Sequence, residues 1–218
     1  MDPKNLSLYH ICREARTGNQ KAPLLIMMHG YGSNEEDLFS FAEELPEELF
    51  IISVRAPYPL PPYGNAWYAI NFDGTRKFSD DQQAIQSREK ISDFIDQAIA
   101  EYPVDGENVT LVGFSQGTIL GFSIALSYPE KIKNLIGLSG YINEGILKEG
   151  YEKNDFSRLS VYHSHGTSDQ VIPVQWARRS KPLLDDLGIE NTYSEFPVGH
   201  GVAPQNFMEL KSWLQKKI

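Results

Sequence analysis

Residues 109–117 read Val-Thr-Leu-Val-Gly-Phe-Ser-Gln-Gly and offer a serine for nucleophilic chemistry. A run of β-forming residues delivers Ser115 into a Gly-x-Ser-x-Gly turn, after which a helical pattern begins. Strand, sharp turn and helix together lift a serine hydroxyl clear of a sheet edge. A hydroxyl attacks poorly until a base takes its proton, so Ser115 requires a histidine. The chain has His10, His29, His163, His165 and His200. His200 lies in Pro197-Val-Gly-His-Gly201, between the last strand-like run and the last helical pattern, the place and chain order of a base. The acid belongs between serine and base in sequence. Asp169, in His165-Gly-Thr-Ser-Asp-Gln-Val-Ile-Pro173, follows an apolar strand and precedes a helical pattern. Asp155 sits ahead of that strand, at the wrong end, and Asp185 and Asp186 fall on a helix. Asp169 is therefore the expected acid, holding His200 in one tautomer and stabilising its cation.

Acyl transfer also needs donors for the developing oxyanion. One is the backbone N–H of Gln116, directly after the serine. The other is expected from His29-Gly-Tyr-Gly32, where two glycines let the chain turn and aim the N–H of Tyr31. An ordinary glycine-rich strand-to-helix turn and a phosphate-binding loop are the competing readings. Neither Gly-x-Gly-x-x-Gly nor the lysine-bearing phosphate loop occurs, which disfavours nucleotides. His163 and His165 point to one face of a strand, but two ligands without a third make no zinc site, so packing or hydrogen bonding is expected of them. Cys12, the one cysteine, excludes an internal disulfide and reads as structural.

The elements that must position these residues alternate along the chain. Two β-like runs, 6–13 and 22–29, flank Thr17-Gly18-Asn19-Gln20 and suggest a hairpin-like opening. Further strand-like runs are Leu49–Val54, Val109–Phe114, Leu135–Leu138, Leu159–His165 and Tyr193–Phe196. Helical patterns fall at about 35–45, 81–101, 117–127, 175–187 and 203–216. The first of the long ones places Ile91, Phe94, Ile95 and Ala98 on one stripe, with Ser79 and Asp80 as cap candidates. Gly117, Gly121 and Ala125 give the 117–127 helix a small-residue stripe, which lets it lie close to the sheet. This pattern predicts an α/β fold with a mostly parallel central sheet and helices on both faces. Residues 1–218 read as a single domain.

Two long connections remain. Residues 55–80 carry four prolines and the aromatics Tyr58, Tyr63, Trp67, Tyr68, Phe72 and Phe78. They form either a binding loop or a stiff surface loop whose aromatics plug into the core. Residues 141–157 read as a solvated loop. The net charge of −9 argues against nucleic-acid binding, and no apolar stretch is long enough to cross a membrane. The N-terminus lacks the pattern of a secretory signal, so a soluble, cytoplasmic protein is expected.

His29-Gly-Tyr-Gly, Gly-Phe-Ser-Gln-Gly117, Asp169-Gln-Val-Ile-Pro and Gly-His200-Gly together resemble the α/β-hydrolase fold. More narrowly the chain is similar to the carboxylesterase/phospholipase branch, which includes acyl-protein thioesterases. The resemblance covers almost the whole length and implies Ser115 as nucleophile, His200 as base, Asp169 as acid, and oxyanion N–H groups from Tyr31 and Gln116. It also implies an acyl pocket lined around Trp67, Tyr68 and Phe72, with neither cofactor nor metal. The activity implied is hydrolysis of carboxylic esters, thioesters or lysophospholipids through an acyl-enzyme, on a small-molecule ester substrate. The spacing from Ser115 to Asp169 and on to His200 leaves no room for a separate cap domain. Thr118 stands where the thioesterases commonly have a second glycine, and Tyr31-Gly-Ser-Asn-Glu-Glu-Asp37 replaces their Leu-Gly-Asp loop. These departures bring the chain nearer to bacterial esterases. A serine peptidase, a carbon–carbon bond hydrolase and a non-catalytic binding protein on the same fold are the alternatives. Aromatics of the 55–80 segment would suit a homodimer contact.

Overall fold

Alternation along the strands decides where the sheet lies. The computed structural model describes residues 4–18, 21–73 and 76–218, apart from the side chains of residues 72–78. In β2 (Ala22–Met28), Leu24, Ile26 and Met28 enter one apolar cluster while Leu25 and Met27 enter a second on the opposite face. β3 (Phe50–Val54) divides likewise, Phe50, Ile52 and Val54 against Ile51. Side chains that point alternately to two faces, all buried, require cover on both sides.

The remaining elements supply that cover. In chain order they begin with β1 (His10–Arg13), and after β2 come α1 (Glu36–Phe39) and β3. The short strands β4 (Tyr58–Pro59), β5 (Asn65–Ala66), β6 (Ile70–Asp73) and β7 (Arg76–Ser79) follow. Then come α2 (Asp81–Glu101), β8 (Val104–Phe114), α3 (Gln116–Ser127), β9 (Asn134–Leu138), β10 (Ser160–Gly166), α4 (Val174–Asp186), β11 (Glu190–Phe196) and α5 (Pro204–Leu214). The main sheet has the order β1-β3-β2-β8-β9-β10-β11, parallel throughout except for the antiparallel edge strand β1. α2, α3 and α4 cover one face, and α1 and α5 the other.

The hairpin-like opening is corrected: β1 pairs with β3, not with β2. β2 is buried on both faces and takes parallel partners on either side, whereas Ile11 and Cys12 of β1 are half-buried, as suits an edge. The 35–45 helix is also shorter than its pattern. α1 ends after one turn, where the Ser40 hydroxyl donates to the Asp37 carbonyl at 2.7 Å and competes with helix propagation. A 3-10 turn, Ala42–Glu44, then keeps Leu38, Ala42 and Leu45 on the core.

Parallel strands direct their carboxyl ends to one edge, and the loops there can converge. β2 leads into His29–Gly32, β8 into Ser115, β10 into Asp169 and β11 into His200. The 55–80 connection folds as two small hairpins, β4–β5 and β6–β7, above that edge. The first is tied to the glycine loop by Gly32 N–H to Asn65 O (2.9 Å) and Asn65 N–H to Ser33 O (2.8 Å).

Candidate active site

Ser115 stands between β8 and α3 with φ 53° and ψ −114°, a conformation few non-glycine residues adopt. Such backbone strain survives only where neighbours over-determine it. The flanking glycines do so by close approach. A Cβ on Gly117 would lie 2.0 Å from the Met28 carbonyl oxygen, and one on Gly113 would lie 2.4 Å from that of Gly117. Thr118, the residue after Gly117, supplies a further tie. Its Oγ1 lies 2.7 Å from the carbonyls of Gly113 and Leu138 and accepts the Leu138 N–H at 2.8 Å.

The three residues expected of a hydrolytic triad meet. The Ser115 hydroxyl donates to His200 Nε2 at 2.9 Å, and His200 Nδ1–H donates to Asp169 Oδ2 at 2.7 Å. The carboxylate can only accept, so it fixes the proton of His200 on Nδ1 and leaves Nε2 as the base. The side chain of Asp169 is fully buried. Burial alone would push its carboxyl upward; the hydrogen bonds from His200 and from the Ile172 and Val171 amides outweigh this and hold it below the usual carboxylate range. Those amides reach Oδ1 at 2.9 and 2.8 Å. Asp155 is exposed ahead of β10, and Asp185 and Asp186 are exposed on α4.

Gly30 lies against the nucleophile: a Cβ there would stand 3.1 Å from the Phe114 ring and 3.5 Å from Ser115 Cβ. This places the Tyr31 loop beside the serine. Gln116 is the first residue of α3, so its N–H has no carbonyl within the helix to meet. The loop carrying Tyr31 and the first residue of α3, Gln116, therefore both adjoin Ser115. His29 steadies this loop from below, donating from Nδ1 to Gly30 O at 2.7 Å and accepting the Ala56 N–H at Nε2, 3.1 Å. Burial pushes its imidazole down, which keeps that neutral form.

A cleft of about 590 Å³ opens over Ser115 and His200. Tyr31, Tyr68, Ile70, Phe114, Ile119, Tyr141, Asn143, Val171, Ile172 and Trp176 line it, as do Asp37 and Asp81. Tyr68, one of the residues expected to line the pocket, lies on the cleft wall. Trp67 does not, and this is a correction. It is wholly buried, with its indole N–H donating to His29 O at 2.8 Å, so it supports the glycine loop instead of lining the cleft. The Gln116 side chain explains the difference: it accepts the Trp67 N–H and donates to Tyr68 O, both at 2.8 Å, and so fixes which ring turns inward. The side chain of Phe72 lies outside the described residues.

The 141–157 loop is likewise more than a solvated connection. Tyr141 and Asn143 form a cleft wall, Tyr141 edge-on to Trp176 with ring centres 5.0 Å apart. Only the aromatic at 141, three residues past the end of a strand, hinted at this in sequence. His163 and His165 behave as packing and hydrogen-bonding groups. His163 stacks on Tyr193 at 4.5 Å, and burial pushes it down to about 3. No group of three metal-ligating side chains occurs among the described residues.

Residues 14–218 match the phospholipase/carboxylesterase family. Carboxylesterase SOBER1 of Arabidopsis thaliana is 25% identical over 142 residues, which cover 64% of this chain. The match spans 61% of SOBER1, less than two thirds of its length. Acyl-protein thioesterase 1 of Emericella nidulans is 25% identical over 216 residues, spanning 89% of this chain and 90% of that protein. Among solved structures, the Bacillus cereus carboxylesterase shares the fold with a TM-score of 0.85 at 22% identity, over 98% of this chain and 96% of that one.

Proposed function

Since the chain belongs to the phospholipase/carboxylesterase family, we propose that it is a serine hydrolase that cleaves carboxylic esters through an acyl-enzyme on Ser115. The observation that carries this reading is the unbroken line of hydrogen bonds from Ser115 Oγ through His200 to Asp169, opening on the cleft. Ser115 Oγ attacks the ester carbonyl carbon while His200 Nε2 takes the hydroxyl proton. The Tyr31 and Gln116 N–H groups receive the charge that develops on the carbonyl oxygen. As the tetrahedral species collapses, the carbon–oxygen bond to the alcohol breaks and His200 returns its proton to the leaving oxygen. Water then repeats the sequence on the acyl-enzyme, with His200 again as base, and releases the acid and free Ser115. Asp169 keeps its negative charge throughout and stabilises the imidazolium. Thioesters are open to the same steps.

The cleft volume and its mixed apolar and aromatic wall support small to medium acyl groups. The sequence departures at Thr118 and in the Tyr31 loop speak against acylated proteins as the main substrate. The single cysteine fits a cytoplasmic setting.

A fluorophosphonate probe followed by peptide mass spectrometry tests the nucleophile. We expect one adduct, on Ser115, and no hydrolysis of p-nitrophenyl esters by Ser115→Ala. An unlabelled Ser115 in folded protein, or an active alanine variant, defeats the reading. Preference for peptide amides or diketones over the esters would reassign the reaction.

A further inference from the structure

Asp169 stands between two histidines. His200 faces the cleft. On the buried side His165, its side chain fully enclosed, holds Nε2 2.9 Å from the Ile172 carbonyl oxygen and 3.2 Å from Asp169 Oδ2. Both neighbours are acceptors, so Nε2 carries the proton and Nδ1 is bare. Nδ1 has no hydrogen-bond partner among the described residues. A buried unpaired acceptor is costly, and a leucine or phenylalanine would fill the space without it. The histidine is worth that cost only if its Nε2–H does something that packing cannot.

What it can do follows from the bonds around it. The Ile172 carbonyl takes the His165 N–H, while the Ile172 amide donates to Asp169 Oδ1 at 2.9 Å, beside the Val171 amide at 2.8 Å. One residue, Ile172, is therefore held through its carbonyl by His165 and holds the acid through its amide. With Oδ1 occupied in this way, Oδ2 is left for His200. The nearby charged and aromatic groups have other partners. Glu195, beside His165 in the β10–β11 register, is paired with Arg178 at 2.7 Å, and His163 packs against Tyr193 and Phe122.

We propose that His165 is a positioning residue: its Nε2–H clamps the Asp169–Ile172 turn and lies against Oδ2, keeping that oxygen aimed at His200 while His200 becomes a cation. The inference rests on the Ser115–His200–Asp169 reading. It places His165 beyond reach of substrate and acting through Asp169, so catalysis depends on it and binding does not.

Three substitutions separate this role from simple space filling. His165→Gln puts an amide N–H near the position of Nε2, His165→Asn puts one near Nδ1, and His165→Leu has none. With a p-nitrophenyl ester, kcat is expected to fall about tenfold or more in the Leu and Asn variants, as a small misplacement of a catalytic group costs. KM should stay within about twofold, and the Gln variant should recover most of kcat, because the N–H and not the ring is what matters. Wild-type kcat in folded His165→Leu overturns the proposal, as does a Gln variant that falls as far as Leu. Folding is checked by circular dichroism. If the variants do not fold, 15N NMR of histidine-labelled wild-type protein decides: a His165 Nε2–H tautomer supports the clamp and Nδ1–H overturns it. Failure of wild-type Ser115 to take a fluorophosphonate would instead defeat the underlying serine reading, and full labelling with rates indifferent to residue 165 would defeat only this inference.

Discussion

At the scale of single residues, the proposed mechanism makes the proton on His200 govern the rate. The ring serves as base only while Nε2 is bare, so acid removes activity by protonating it. Asp169 stays ionised over that range, being held below the usual carboxylate range by its N–H donors despite burial. One proton alone should therefore control the acid side of the profile. We expect kcat/KM to fall with a slope of one proton as the solution is acidified. A flat profile, or a slope of two, would contradict the assignment. Gln116 acts at the same scale in two ways. Its backbone N–H is the proposed oxyanion donor while its side chain anchors Trp67 and Tyr68.

Among the elements, α3 and the strand ends beside it set the strained serine in place. The helix approaches β2 so closely that Gly117 has no room for a methyl group. Thr118 then ties the ends of β8 and β9 together through its hydroxyl. Thr118→Val keeps the shape and removes the hydroxyl, leaving the Leu138 N–H short of its acceptor and the Gly113 and Leu138 carbonyls without the one proton that they share, although Leu138 O keeps the Ser115 N–H at 2.8 Å. The expected loss of stability is about 1–3 kcal/mol, read from the urea midpoint, while Thr118→Ser keeps most of the stability. Equal midpoints for Val and wild type would show that the tie is not structural. Esterase activity should fall further in the Val variant than its unfolded fraction explains, since the same tie constrains Ser115.

For the whole molecule, buried histidines link stability to acid. Burial pushes His10, His29 and His163 down, His163 from 6.5 to about 3. Folded, these rings stay neutral where the unfolded chain takes up protons. The unfolded state thus binds more protons below about pH 6.5, and stability drops as pH falls from there toward the folded values. The lowered Asp169 adds a later loss, below about pH 4, when its carboxylate is protonated. Thermal melts from pH 7 to 4 should show Tm falling steadily, and His163→Phe should flatten the fall, because phenylalanine keeps the stacking on Tyr193 and cannot titrate. An unchanged Tm across that range would refute the linkage.

The unbroken apolar run of Leu24 to Met28, the stripe on α2 and the small residues of α3 are local signals, so the chain itself declares its sheet, its main helices and the turn carrying Ser115. Chain order and loop position singled out Asp169 and His200 among their competitors, and the fold brings both to Ser115. Other features depend on contacts between distant segments. β1 reads as half of a hairpin until β3 takes its place, because an edge strand's partner is chosen by the whole sheet. Trp67 and Tyr68 are equally aromatic in sequence, and only Gln116, beyond α2 and β8, turns one into support and the other into wall. His165 looks like any strand histidine until the Asp169–Ile172 turn folds back over it. Sequence by itself determined the elements and the candidate reacting groups, since periodicity and turn chemistry act over a few residues. Tertiary structure alone decided the cleft walls and what holds the acid, since both are set by which side chains meet across the sheet's edge.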